Sequence, residues 1–79
     1  MHAYRVKQSY DLAAKGTLTI PTGVWAVRVM AGTTSVKVTL GRDPGAGALV
    51  TSPFPAFFQL QAGETLSVDG AANVCLLTR

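Results

Sequence analysis

An alternation of apolar and polar side chains with a period of two residues restricts the possible folds of this chain more than any other feature. It runs through the segments TLTI, VWAVRVM and SVKVTL between Thr17 and Leu40. In VWAVRVM, Trp25, Val27 and Val29 share one face. Successive side chains of a strand point to opposite faces of its sheet, so this period indicates β-strands and leaves no room for a long helix.

The alternation stops at Pro-Thr-Gly and then resumes. Pro21 has no N–H to donate to a sheet, and Gly23 can adopt a positive φ. We therefore predict a corner that ends one strand and redirects the chain into the next. The segment AGTT, residues 31–34, is predicted to be a hairpin turn.

The rest of the chain shows the same kind of pattern. YRVKQSY predicts an N-terminal strand with Tyr4, Val6, Gln8 and Tyr10 on one face, and FFQL, TLSVD and NVCLLT predict later strands. Only DLAAKG could form a single helical turn. Short strands at about ten-residue spacing predict an all-β fold. We expect one domain spanning residues 1–79, a small antiparallel β-sandwich of jelly-roll type with about seven or eight short strands.

The stretch Arg42–Phe58 does not alternate and contains three of the four prolines and all three phenylalanines. We interpret it as a long ordered loop that crosses between strands, and long apolar loops often contact a partner. The competing interpretation is that its phenylalanines close one end of the protein's own core.

Small size and a high apolar content together predict self-association. A chain of 79 residues buries a modest core, and its single cysteine and single histidine, Cys75 and His2, allow neither an intramolecular disulfide nor a structural zinc site. Hydrophobic residues nevertheless make up 48% of the chain, and VWAVRVM and NVCLLT are largely apolar on both faces. Such strands are either covered on both faces or contact another subunit. The interface residues that we predict are Tyr4, Val6, Leu49, Val50, Phe54, Pro55 and Phe57.

No arrangement of residues predicts catalysis. The four acidic residues Asp11, Asp43, Glu64 and Asp69 each lie beside a turn, and the only imidazole is near the N-terminus. Cys75, within an apolar strand, is interpreted as a small hydrophobic residue. We predict that the protein is not an enzyme and has no catalytic, cofactor-binding or metal-binding residues.

Two other binding functions compete with self-association. Trp25 is either a core residue after the corner or, together with Tyr10, an exposed platform of a carbohydrate- or receptor-binding module. Weak nucleic-acid binding is a further alternative, because the basic residues Arg5, Lys7, Arg28 and Lys37 fall on the outward set. The same pattern is typical of any solvated sheet face, and the net charge is only +3.

The N-terminal segment MHAYRVKQSYDL lacks the apolar stretch of a signal peptide. The longest apolar runs are far shorter than the ~20 residues that span a bilayer. We therefore expect synthesis in the cytoplasm and no membrane partner.

Two segments carry a resemblance to a known class of proteins. LTIPTGVWAVRVMAGTTSVKVTL, with its strand, Pro-x-Gly corner and strand, and FQLQAGETLSVDGAANVCLL, with its Gly-Glu turn before a final hairpin, resemble small β-structured proteins of tailed-phage virions. The resemblance covers Leu18–Leu40 and Phe58–Leu77. It implies a virion location and a capsid decoration (cement) protein, of a kind that commonly forms a homotrimer on the shell, or another small virion component. Its partners would then be itself and the major capsid protein or another virion protein.

Overall fold

The computed structural model describes residues 5–32 and 34–78 of the chain. Within these residues there are eight strands and no helix. The strands are β1 (Arg5–Leu12), β2 (Gly16–Thr19), β3 (Ala26–Ala31), β4 (Ser35–Leu40), β5 (Asp43–Thr51), β6 (Ala56–Gln59), β7 (Thr65–Val68) and β8 (Ala72–Thr78). The all-β prediction is confirmed, whereas the helical turn considered for DLAAKG is wrong, because β1 continues to Leu12 and a bend follows.

The strands form two antiparallel sheets of four. The first sheet has the order β1-β8-β3-β6, and the second has the order β2-β7-β4-β5. Each strand of the first half pairs with one of the second half: β1 with β8, β2 with β7, β3 with β6, and β4 with β5. The chain is thus one long hairpin folded over into a sandwich, which is the jelly-roll arrangement that the sequence predicted.

The Pro-Thr-Gly corner carries the chain from the second sheet to the first. The N–H of Ile20 donates to the Glu64 carbonyl at 2.8 Å on the side of β7, and the N–H of Trp25 donates to the Leu77 carbonyl at 2.8 Å on β8. Gly23 has a φ of 93°. The predicted corner is therefore confirmed, and it explains why the alternation breaks where it does.

Aliphatic side chains fill the space between the sheets. The buried cluster contains no aromatic residue, and Phe58 and Tyr10 only pack against its border. Its members are Ile20, Val24, Val27, Val29, Val36, Val38, Val50, Leu60, Leu66, Val68, Ala72, Val74 and Leu76. Large aromatic rings are ordinarily the most favourable groups to bury. Aromatic residues that lie outside this core therefore mark candidate binding surfaces.

Two local predictions are wrong: the hairpin turn at AGTT and the shared face of Val6, Gln8 and Tyr10. A period-two pattern shows neither a crossing from one sheet to the other nor a β-bulge. AGTT is not a hairpin turn: it joins β3 in the first sheet to β4 in the second. In β1, Val6 pairs with Leu77 but Gln8 pairs with Leu76, so Lys7 is the extra residue of a β-bulge. Val6 therefore lies on the outer face, opposite to the face of Gln8 and Tyr10.

The stretch predicted as a long loop, Arg42–Phe58, is mostly strand. It forms the hairpin partner β5 and the edge strand β6, joined by the short turn 52–55. The register between Thr39 and Leu40 shifts, so that residues 44–46 bulge from the edge of the second sheet. A proline is tolerated at such an edge, because no neighbouring strand needs its N–H.

The connections cluster at two ends of the sandwich. At one end, which we call the cleft end, the segments 20–25, 41–42 and 60–64 meet. Backbone hydrogen bonds join them: the N–H of Gly41 donates to the Thr65 carbonyl, and the N–H of Gly63 donates to the Ile20 carbonyl. At the opposite end, the Phe54 end, Ser52 N–H donates to the Thr34 carbonyl and Gly32 N–H to the Ala71 carbonyl.

Candidate functional site

Three aromatic side chains of the described residues lie in solvent instead of the core, and they mark two surfaces. Trp25 is 40% exposed at the cleft end, and Phe54 and Phe57 are 72% and 62% exposed on the side formed by β5 and β6. The local pattern explains the position of Trp25: Val24, its neighbour in the corner, is buried in its place. The interpretation of Trp25 as a core residue is therefore wrong.

The indole of Trp25 forms one wall of a cleft of about 490 Å³. This volume is within the range of small-molecule sites. Three connections that are distant in sequence build the cleft. They are the segments 20–25, 41–42 and 60–64, and the last residue of β6 adds to them. The lining residues are Gly23, Val24, Trp25, Arg42, Gln59, Leu60, Gln61 and Ala62.

Two glutamine side chains of this cleft come from one segment, where they flank a leucine. Gln59 and Gln61 are exposed on either side of Leu60, which is 1% exposed and anchors the segment in the core. No hydrogen bond engages either side-chain amide in the part of the chain that the structure describes. Both amides therefore remain available as donors and acceptors for a ligand.

An ion pair with Glu64 offsets the positive charge of Arg42, which lines the cleft. Arg42 Nη2 donates to the Gln59 carbonyl at 3.0 Å, and Nη1 lies 3.5 Å from Oε2 of Glu64. The other carboxylate oxygen of Glu64, Oε1, accepts from the Gln61 N–H at 3.1 Å. The carboxylate thus fixes the backbone of the segment and holds the guanidinium in place.

Tyr10 does not join Trp25 in a common platform. It packs against the border of the core in β1, where it pairs with Val74, which in turn pairs with Val29. Trp25 lies four residues before Val29, which corresponds to about 13 Å along the strand, and two strands away from β1. The predicted pair is therefore wrong, whereas the partners Arg42, Gln59 and Gln61 were missed.

The signal for these missed partners is partly present in the sequence. FQLQ alternates polar and apolar residues, which places Gln59 and Gln61 on one side. Nothing local indicates that this segment faces Trp25, because only the folded hairpin brings positions 25, 42 and 59–61 together.

The predicted interface residues separate into three groups. Leu49, Phe54, Pro55 and Phe57 are exposed and lie on β5, β6 or the turn between them, with Leu49 at 71%. Val6 is 56% exposed, but it lies on β1 at the opposite edge of the first sheet. Tyr4 lies outside the described residues.

Val50 is a correction to the predicted interface. It is 2% exposed and belongs to the core, because the strand alternation of β5 turns it inward while Leu49 points outward.

The apolar outer faces of β3 and β8 are covered within the protein itself. Ala26, Cys75 and Leu77 form a second cluster at 3–6% exposure on the outer face of the first sheet. Arg28 lies over this cluster, and its Nη2 atom is 3.2 Å from the Cys75 sulfur. Of the two explanations offered for these strands, the covered face holds for β3 and β8, whereas the exposed apolar side chains of this face, Val6 and Phe57, lie on the edge strands β1 and β6.

Basic residues do not share one face. Arg28 lies on the outer face of the first sheet, whereas Lys37 lies on that of the second, where Asp69 accepts a hydrogen bond from the Lys37 N–H at 2.7 Å. A groove of about 460 Å³ beside Lys37 is lined by hydroxyls, Lys15 and Asp69, with no aromatic residue among its described lining.

Comparisons with protein-family models, curated proteins and solved structures give no significant match to the chain. Among the described residues, no three side chains of His, Cys, Asp or Glu lie close enough to hold a metal ion. No helix in this part of the chain has the length and apolar character needed to cross a membrane.

Proposed function

We propose that the protein is a structural, non-enzymatic component of a tailed-phage particle, a decoration protein that stabilises the shell as a homotrimer. The observation that carries this proposal is the exposure of apolar side chains along the edge strands β5 and β6, which we call the β5–β6 side. Leu49 lies on the outer face of the second sheet, Phe57 lies on the outer face of the first, and Phe54 and Pro55 lie in the turn between the two strands. The resemblance of Leu18–Leu40 and Phe58–Leu77 to small virion proteins supplies the biological setting.

The β5–β6 side has the properties of a contact between copies of this chain. Fully burying a leucine or phenylalanine side chain contributes about 1.5–3 kcal/mol. In a closed ring each protomer offers this side to one neighbour and receives another surface from the second. β5 and β6 are also the edge strands of the two sheets on this side, with backbone groups that a neighbour could pair with.

Attachment to a shell follows from many weak contacts acting together. Each trimer would contact several copies of the major capsid protein, and linked contacts raise the overall affinity without any strong single contact. Eight-stranded jelly rolls of this kind occur in viral capsid domains, although they also occur in lectins, so the fold alone does not select this role.

Light scattering over a dilution series tests the self-association. We expect three times the monomer mass of 8.3 kDa for the unaltered protein. The substitution Phe57→Asp places a charge in the contact and should reduce the mass to that of the monomer. Because Phe57 is 62% exposed, the fold should survive, which circular dichroism can check.

A matched control separates the contact from the added charge. Ala13→Asp introduces the same charge at an exposed position between β1 and β2, away from the β5–β6 side. It should leave the mass unchanged. An unaltered protein that remains monomeric at all concentrations would contradict the trimer.

Shell binding needs a separate measurement. Purified protein is added to empty capsids of the phage that encodes it, and the bound fraction is measured by co-sedimentation. Saturable binding that Phe57→Asp weakens is expected. A trimer that never sediments with capsids would exclude decoration while leaving the assembly intact.

A further inference from the structure

We infer that the cleft beside Trp25 is a binding site for a neutral saccharide. This inference goes beyond the structural role and uses different residues, since the cleft lies at the opposite end of the sandwich from Phe54. Three properties of the cleft select this ligand class: its aromatic wall, its two amides and its balanced charge.

The aromatic wall suits the apolar face of a sugar ring. The indole of Trp25 is 40% exposed, and the backbone beneath it is held by the hydrogen bond from its N–H to the Leu77 carbonyl. A pyranose ring carries C–H groups on one face, and an exposed indole offers a flat, polarisable surface for them.

The two glutamines suit the hydroxyl groups of the same ring. Each amide offers one acceptor oxygen and two N–H donors, and a sugar hydroxyl both donates and accepts. Gln59 and Gln61 both line the cleft, and both are exposed, whereas Leu60 between them is 1% exposed. A lining that combines an apolar ring with a few polar groups is the usual composition of a small-molecule site.

The charge of the site selects a neutral over an acidic ligand. Arg42 lines the cleft, but its guanidinium faces the Glu64 carboxylate at 3.5 Å and donates to the Gln59 carbonyl. An anion in the cleft would meet a cation whose charge is already offset and a carboxylate just behind it. The binding of a neutral polyhydroxylated ligand does not depend on a free positive charge, so this ion pair does not weaken it.

Tryptophan fluorescence reports on this site directly, because Trp25 is the only tryptophan of the chain. The unaltered protein is titrated with glucose, galactose, mannose, lactose, cellobiose and chitobiose, and with glucuronic acid and sialyllactose as acidic counterparts. We expect a saturable emission change with at least one neutral sugar. The acidic counterparts should bind at least ten-fold more weakly.

Variants then assign the binding to the proposed residues. Gln61→Ala should weaken the affinity for the sugar that binds by ten-fold or more, whereas Gln8→Ala, which removes an exposed amide on β1, should leave it unchanged. Trp25→Ala, followed by calorimetry, should abolish binding.

Three results would overturn the inference: no saturable response to any neutral sugar of the panel, tighter binding of the acidic sugars, or an unchanged affinity in Gln61→Ala. These results are independent of assembly. The same titration is run on Phe57→Asp, so a protein that binds sugar as a monomer and one that forms trimers without binding sugar are distinguished.

Discussion

At the scale of single residues, Gly23 carries a backbone requirement that no other residue type meets well. Its φ of 93° lies in the left-handed region, although a Cβ there would meet no atom within 4 Å. A substitution at this position is therefore a test of backbone conformation alone, free of steric contact with neighbours.

We expect Gly23→Ala to lower the free energy of unfolding by about 1–2 kcal/mol, the cost of a left-handed backbone for an L-residue. The matched control is Gly45→Ala, where a Cβ also meets nothing within 4 Å and φ is not positive. The control should change stability by less than about 0.5 kcal/mol. Urea unfolding measures both variants, and equal effects would show that the corner does not depend on this conformation.

Single residues also show where sequence reasoning stops. The role of Gly23 could be predicted because a glycine after a proline within an alternating pattern has few local explanations. The position of Trp25 could not, because a one-residue difference between Val24 and Trp25 decides which side chain enters the core. In the folded protein Val24 is 6% exposed, whereas Trp25, whose N–H donates to the Leu77 carbonyl of β8, is 40% exposed.

At the scale of strands, the inward and outward sides of the second sheet differ sharply in their contribution to stability. Leu66 on β7 is 0% exposed, whereas Leu49 on β5 of the same sheet is 71% exposed. Truncating a buried leucine leaves a cavity as well as losing its transfer energy.

We expect Leu66→Ala to reduce the free energy of unfolding by about 2–5 kcal/mol. Leu49→Ala should change the stability of the monomer by less than about 0.5 kcal/mol. The comparison is made by urea unfolding in the Phe57→Asp background, where assembly does not contribute. A large loss in the Leu49 variant would show that β5 packs differently from its assigned register.

The strands β3, β4 and β8 could be predicted, because in each of them every second side chain lies on the same face without interruption. The bulge at Lys7 and the edge strand β5 were not, because a bulge shifts the phase of the pattern and an edge tolerates Pro44 and several glycines. Such residues look like loop residues in a sequence. The cleft was missed for a related reason, since its parts come from three separate connections.

At the scale of the whole molecule, the exposed aromatic residues give the proposed trimer a measurable effect on stability. The core between the sheets is built of aliphatic side chains, and Phe54 and Phe57 remain exposed in one chain. If these rings are buried between protomers, unfolding and dissociation are coupled, and mass action makes the melting temperature depend on concentration.

For a trimer that unfolds to separate chains, each tenfold rise in protein concentration increases the free energy of unfolding by about 0.9 kcal/mol per protomer. Dissociation of one trimer into three chains depends on two powers of the concentration, each worth about 1.4 kcal/mol per tenfold, and three protomers share this sum. For a domain of this size that corresponds to an increase in Tm of about 4–7 °C. Calorimetry at three concentrations should show this slope for the unaltered protein and for Ala13→Asp. Phe57→Asp should melt at one temperature throughout. A Tm of the unaltered protein that does not change with concentration would mean that the exposed phenylalanines stabilise no assembly of this chain, and that the β5–β6 side serves a foreign partner.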